Sequence, residues 1–90
     1  MVKPKKTFYV YILRTSGNTL YVGQTNNLEK RLKEHASKTK KSSKYMRSFK
    51  SFTLVYSEAY KTRTSALKRE YELKQLNKPK KEALILAKGD

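Results

Sequence analysis

Phe8-Tyr-Val-Tyr-Ile-Leu13, followed a few residues later by Leu20-Tyr-Val-Gly23, is the stretch whose reading decides the fold. The first run is aromatic and β-branched, which suits a central strand buried on both faces. Between the runs, Thr15-Ser-Gly-Asn18 is a turn signal, with Gly17 and Asn18 able to take positive φ. Residues 8–14 and 19–23 therefore read as an antiparallel hairpin. Working outward, Thr25-Asn-Asn27 offers N-caps to a helix over Leu28 to Ser37, whose inward side carries Leu28, Leu32 and Ala36 with His35 beside them. Glu29 with Lys33 and Lys30 with Glu34 are opposite charges four apart, which suits solvent-facing sides. Lys38 to Ser51 has no clean periodicity and reads as a long loop with one turn of helix around Tyr45 and Met46. Phe52 to Glu58 alternates and is the expected third strand. Thr62 or Thr64 caps a helix from Ser65 to about Leu76, with Ala66, Leu67, Leu73 and Leu76 as its apolar stripe. Asn77 and Pro79 then introduce a short closing helix over Lys80 to Ala87. Three strands cannot cover both faces of their own sheet. The expected fold is α+β: a three-stranded antiparallel sheet flanked by helices, in one domain over residues 1–90.

The length of 90 residues allows one small domain. Lys and Arg number 22 against 7 Asp and Glu, for a formal net charge of +15. Residues 1–50 hold 13 of the bases and only 2 of the acids, so the positive field leans toward the first half. Such self-repulsion is commonly offset by a polyanion. Nucleic acid is the expected partner, with Lys38, Lys40, Lys41, Lys44, Arg47 and Lys50 as phosphate contacts. An anionic membrane surface, an acidic protein or a merely lysine-rich surface are the alternatives. The absence of cysteine excludes disulfides, zinc knuckles, Fe–S clusters and thiol chemistry, and a single His disfavours multi-His zinc sites. The longest apolar run, Ala83 to Ala87, is too short to span a bilayer. The basic start of the chain is followed by alternating residues rather than a long apolar segment, which disfavours a signal peptide. The expected location is the cytoplasm, with no membrane contact and no small organic cofactor.

Some residues do not fit a pure core reading. Glu70 falls on the apolar stripe of its helix, four after Ala66 and three before Leu73. A carboxylate there is either a ligand for a hard divalent cation or an edge residue paired with a base such as Lys74. Arg31 and His35 are four apart on one helical face. Arg31 offers a planar fork of donors suited to phosphate, or is a surface base. His35 has a side chain able to pass a proton or orient a water, or is a partly buried hydrogen-bonded histidine. Tyr11 and Tyr21 lie on adjacent strands of the hairpin, so both can face one groove. A phenol is a useful base only if a nearby cation lowers its pKa.

Val10-Tyr11-Ile12 and Tyr21-Val22-Gly23, separated by eight residues, resemble the two signature tripeptides of the GIY-YIG nuclease superfamily. The strings Tyr9-Val-Tyr-Ile-Leu13, Leu20-Tyr-Val-Gly-Gln-Thr25 and Leu28-Glu-Lys-Arg-Leu32 extend the likeness, as do His35, Lys44-Tyr45, Leu54-Val-Tyr56, Ala66-Leu-Lys-Arg-Glu70 and Lys80-Lys-Glu-Ala-Leu84. The likeness covers about residues 7–86 and is closest to the small stand-alone bacterial branch of uncharacterised proteins. Val10 stands where the first signature glycine is usual and Val22 where the isoleucine is usual, and Asn77 is only a rough match to a late asparagine. The resemblance implies a metal-dependent endonuclease of low sequence specificity acting on phosphodiester bonds, with DNA the expected substrate, or a non-catalytic nucleic-acid-binding module of the same fold. It implies a catalytic set of Tyr11, Tyr21, Arg31, His35 and Glu70, with one Mg²⁺ or Mn²⁺ on Glu70 that binds weakly without substrate. Tyr11 is the implied proton acceptor, its pKa lowered by Arg31 and the metal. Gly23 is implied as the position where a side chain would crowd the scissile strand. No second domain is apparent, so site choice is expected to be weak or to come from a protein partner.

Overall fold

The structure is a computed structural model that describes residues 7–37 and 51–88. Strand β1 (Phe8–Thr15) pairs antiparallel with β2 (Leu20–Thr25) on one side and with β3 (Phe52–Tyr60) on the other, giving the sheet order β2-β1-β3. The fold is thus the α+β arrangement expected, with the Phe8-to-Leu13 run as the central strand. The hairpin turn has three residues. Thr15 and Thr19 close it, the Asn18 N–H donating to the Thr15 carbonyl and the Thr15 N–H to the Thr19 carbonyl, both at 2.9 Å. Asn18 alone takes the left-handed conformation, φ 61°, while Gly17 keeps negative φ. An asparagine tolerates that region because its short side chain bonds locally, and here its Oδ1 accepts from Arg14 Nη1 at 3.0 Å.

Residues 10–13 of β1 are all buried because each face of the sheet has its own cover. On one face Val10, Ile12, Val22 and Tyr56 pack with Ala66 and Leu73 of helix α2 (Arg63–Gln75), and with Leu84 and Ile85 of helix α3 (Lys78–Lys88). On the other face Tyr11 and Leu13 pack with Tyr21, Phe52, and Leu28 and Leu32 of helix α1 (Leu28–Ser37). A β-bulge falls where Ile12 pairs with Tyr56 but Leu13 with Leu54, leaving Val55 as the extra residue.

Several boundaries and one packing expectation shift. Strand β3 runs on to Tyr60, two residues past Glu58, because Tyr9 and Phe8 continue the ladder with Ala59 and Tyr60. Helix α2 begins at Arg63 because Thr62, rather than Thr64, is the N-cap, its Oγ1 accepting from Ser65 N at 3.1 Å. Leu67 is 45% exposed: α2 meets the sheet through Ala66 and Leu73, and Leu67 is turned away from them. The loop and helical turn expected around Tyr45 and Met46 lie outside the described residues.

Polar clamps hold the helices to the sheet. Glu58 accepts from Tyr56 and Tyr60 hydroxyls and from Arg69 Nε and Nη2 at 2.9 and 3.2 Å, which ties β3 to α2. Arg14 donates from both ends of its fork to Glu82 at 2.8 and 2.5 Å, and Lys78 Nζ donates to the Asn18 carbonyl at 2.6 Å. These last contacts pin α3 to the β1–β2 hairpin. Among the described residues no helix is long and apolar enough to cross a membrane.

Candidate functional site

Tyr11 sits directly across the strand pair from Gly23. A Cβ built on Gly23 would lie 2.5 Å from both Cζ and the hydroxyl oxygen of Tyr11. The phenol therefore lies over the glycine, and its hydroxyl reaches across β2, the edge strand. Gly23 is required by the Tyr11 ring itself. The crowding expected against a bound strand is in the first place crowding against this phenol.

Helix α1 brings His35 and Arg31 to the same hydroxyl. His35 is 1% exposed, and its Nε2 shares a 3.1 Å hydrogen bond with the Tyr11 hydroxyl. Its ring is boxed by Tyr21, Phe52 and Tyr11, with centroids at 5.5, 6.1 and 6.2 Å. Among the described residues Nδ1 has no hydrogen-bond partner. Burial lowers the imidazole pKa to about 4; the Arg31 charge works in the same direction and Glu34 against it. The ring is neutral at pH 7.

Arg31 donates to Glu34 Oε1 at 3.1 Å and lies close enough to the Tyr11 hydroxyl for each to act on the other's ionisation. Burial works against the guanidinium charge, but Glu34 and the Tyr11 hydroxyl more than offset it and raise its pKa. Glu34 thus pairs with Arg31 rather than with Lys30, because both side chains lie half-buried on the side of α1 that faces the sheet. The pair of Lys33 with Glu29, at 3.4 Å, forms as expected on the exposed side.

The Tyr11 phenol is pushed up to about 12, chiefly by burial and then by Tyr21, whose ring centroid is 6.4 Å away; Arg31 opposes the rise and Glu70 adds to it. The expected lowering counted on Arg31 together with a metal, and Arg31 by itself does not produce it. One guanidinium does not outweigh the loss of solvent around a phenol that is 1% exposed.

Glu70 lies on α2 one turn after Ala66 and just before Leu73, both fully buried. Its side chain is 20% exposed, and Lys74 Nζ stands 3.5 Å from Oε2. The pairing with Lys74 and a bearing on the Tyr11 site thus coexist, since the Glu70 charge acts on the phenol. Among the described residues no group of three or more His, Cys, Asp or Glu is placed to hold a metal ion. The donor set is one half-buried carboxylate beside a phenol. That suits Mg²⁺ only as it is often held, by one carboxylate with water and a ligand phosphate completing the octahedron.

Tyr11, Tyr21 and His35 therefore pack together, the Arg31 charge acts on the phenol and the imidazole, and the Glu70 charge acts on the phenol from the second helix. Lys38, Lys40, Lys41, Lys44, Arg47 and Lys50 lie outside the described residues. Sequence reasoning missed Glu34 as the partner of Arg31 and Phe52 as a wall of the histidine box. Glu34 was findable, since a carboxylate three residues on shares the face of Arg31. Phe52 was not, because its place depends on where β3 joins the sheet.

A sheet with two tyrosines on its hairpin, an arginine and a histidine one turn apart on the first helix, and a glutamate on the second defines a class. Residues 7–83 match the sequence model of the GIY-YIG catalytic domain, and the chain belongs to the GIY-YIG family. It is similar to a UPF0213 protein of Desulfotalea psychrophila, 40% identical over 83 residues, covering 92% of this chain and 74% of the relative. It is also similar to a UPF0213 protein of Natronomonas pharaonis, 39% identical over 77 residues, covering 86% of this chain and 88% of the relative. Among solved structures, the solution NMR structure of a UPF0213 protein from Bacillus halodurans aligns with a TM-score of 0.60 at 40% identity, over 92% of this chain and 86% of that one.

Proposed function

We propose that the chain is a nucleic-acid-binding GIY-YIG module that seats one phosphodiester, of DNA in the first instance, at the Tyr11 hydroxyl and the Arg31 guanidinium. The state of Tyr11 carries this reading. Its proton stays on the phenol, whose pKa is about 12. His35 is neutral, and its Nδ1 has no partner among the described residues. A buried N–H without an acceptor is the rarer orphan, so the tautomer with hydrogen on Nε2 is favoured and donates to the Tyr11 oxygen. The Arg31 charge acts on the same hydroxyl. With His35 donating to its oxygen, the phenol keeps its hydrogen to offer, and an anionic oxygen is a natural acceptor. The rest of the Arg31 fork suits the same phosphate. Bulk affinity comes from the +15 charge, with the lysines of residues 38–50 as its expected contacts. We read residues 1–90 as one cytoplasmic domain that takes its site choice from a protein partner.

Hydrolysis of the seated phosphodiester is the second reading, and the position of Glu70 beside the phenol favours it. Glu70 would hold one Mg²⁺ or Mn²⁺ together with the phosphate. Such an ion, when bound, offsets phosphate charge and makes a bound water more acidic. Arg31 neutralises a nonbridging oxygen, and His35 and Tyr21 hold the Tyr11 ring. For Tyr11 to accept a proton from water, its own proton must pass to His35, which requires the opposite tautomer from the resting one.

A labelled panel of single-stranded, duplex, flap, branched and RNA substrates, with and without Mg²⁺ or Mn²⁺, separates the readings. Salt-dependent binding without cleavage supports the module. Metal-dependent cleavage that disappears in Glu70→Ala establishes the enzyme. Binding that is absent or indifferent to salt overturns both.

A further inference from the structure

We infer that the outer edge of β2 carries a second phosphate subsite, in which Lys74 and Lys81 hold the strand next to the phosphodiester seated at Tyr11 and Arg31; the inference rests on the nucleic-acid reading above. β2 is the edge strand on this side of the sheet. Along it runs an open cleft of about 340 Å³ lined by Leu20, Tyr21, Val22, Lys74 and Lys81. Tyr21 joins the cleft to the site, since its ring also stands 6.4 Å from that of Tyr11 and 5.5 Å from that of His35.

The two lysines are placed by different elements. Lys74 is one turn after Glu70 on α2, and its ammonium, 3.5 Å from Glu70 Oε2, spans from the cleft to the carboxylate of the site. That pair is half open to water, 53% exposed on the lysine side, so it is weakly held and readily exchanged for a phosphate. Lys81 is placed by the clamps on α3. Lys78, Lys81 and Glu82 share one helical face at positions three and four apart. Lys78 is committed to the Asn18 carbonyl at 2.6 Å and Glu82 to Arg14 at 2.8 and 2.5 Å. Lys81 lies between them, held against the hairpin, and among the described residues its ammonium makes no ion pair. The residues that line the cleft are thus two lysines, one of them also paired with Glu70, and apolar and tyrosine side chains on the strand side. A polyanionic strand crossing β2 would meet Lys74 and Lys81 in the cleft and, beyond the Tyr21 ring, the pocket of Tyr11 and Arg31. Phosphate, rather than a carboxylate peptide, is the occupant favoured by the overall +15 charge and by the phosphate chemistry of the adjoining pocket.

The test is the salt dependence of binding to a fluorescent single-stranded oligonucleotide and to its duplex, for wild type and for the double variant Lys74→Ala/Lys81→Ala. Each phosphate contact contributes about 0.7 to the log–log slope on a single strand and about 0.9 on a duplex. The double variant should therefore flatten the slope by about 1.4 on the single strand and about 1.8 on the duplex. Lys61→Ala/Lys68→Ala removes the same charge from exposed positions that do not line the cleft and should change the slope far less. Lys74→Arg/Lys81→Arg should restore it. Equal flattening by both alanine pairs means a diffuse field and overturns the subsite. So does an unchanged slope in the cleft variant with a normal wild-type slope, which leaves the nucleic-acid reading standing. Failure of the wild type to bind removes the reading and the subsite together. Melting temperatures measured alongside distinguish a lost contact from a lost fold.

Discussion

Acid should unfold this protein in a window set by His35. The free imidazole titrates near 6.5, whereas burial in the folded state, reinforced by Arg31, lowers it to about 4. Above pH 6.5 neither state carries the proton, and the stability associated with neutral His35 is fully present. As pH falls from 6.5 toward 4 the unfolded chain takes up a proton that the folded chain refuses, so stability is lost across that interval. With those two values, moving from pH 8 to pH 4.5 costs about 2–3 kcal/mol. For a domain of this size that lowers Tm by about 10–20 °C. The groups facing the ring are Tyr11, Tyr21 and Phe52 from the sheet and Arg31 and Glu34 from its own helix. Of the carboxylates with lowered pKa, Glu58 is opposed by burial but held down by Arg69 and two tyrosine hydroxyls, and Glu82 is held down by Arg14. Both are held below the ordinary glutamate range, so they act at the lower end of the window or beneath it. Denaturant melts followed by circular dichroism between pH 8 and 4.5 read the effect. His35→Phe, which keeps an aromatic ring in the box, should be less stable at pH 8 but flat across the window. An NMR titration of the His35 ring with a midpoint near 6.5, or a wild-type stability that does not change with pH, refutes the argument.

Gly23→Ala should displace the Tyr11 ring, because the new Cβ would start 2.5 Å from the phenol; the expected cost is about 1–3 kcal/mol in a denaturant melt, with the His35 titration moving back toward its ordinary range. Glu70→Ala should leave nucleic-acid affinity in EDTA unchanged or raised, since it removes an acid beside the seated phosphate, while abolishing any metal-dependent cleavage; a clear loss of affinity in EDTA would contradict that placement. Arg69→Met breaks the fork that ties α2 to Glu58 and should destabilise by about 2 kcal/mol, read as a lower Tm, with oligonucleotide affinity close to wild type.

The hairpin, the third strand and all three described helices were legible in the sequence because each rests on a local signal. Aromatic and β-branched runs mark the strands, Thr62 and Asn77 mark helix starts, and the Gly17-Asn18 pair marks the turn. The details that escaped depend on tertiary placement. Whether Gly17 or Asn18 takes the left-handed conformation is decided by the bonds Asn18 makes to Arg14 and Lys78. Leu67 looked like a core residue from its spacing, but the sheet meets α2 on the side of Ala66 and Leu73. The candidate site residues come from spacing and resemblance, and the packing of Tyr11, Tyr21 and His35 against one another is a matter of register. What no local pattern carried was the electrostatic state. Tyr11 beside an arginine invites a lowered pKa, and only the burial of the ring shows that the shift runs the other way.

Strand pairing explains why so small a sheet can hold such a site. Tyr11 stands opposite Gly23 only in the register of the three-residue turn, in which Arg14 pairs with Leu20. A slip of one residue would turn Tyr11 to the face of α2 and α3 and put Ile12 or Val10 in its place. The turn is itself fixed from outside, because Arg14 bonds both Asn18 and Glu82, and Lys78 bonds the Asn18 carbonyl. The same contacts that set the register of the hairpin therefore fix α3 beside β2. The phenol over Gly23 and the lysine-walled cleft along the strand edge share one mechanical origin. A chain with a small core and a large positive charge in this way holds the Tyr11 phenol in a fixed place, by hydrogen bonds that the hairpin needs in order to form.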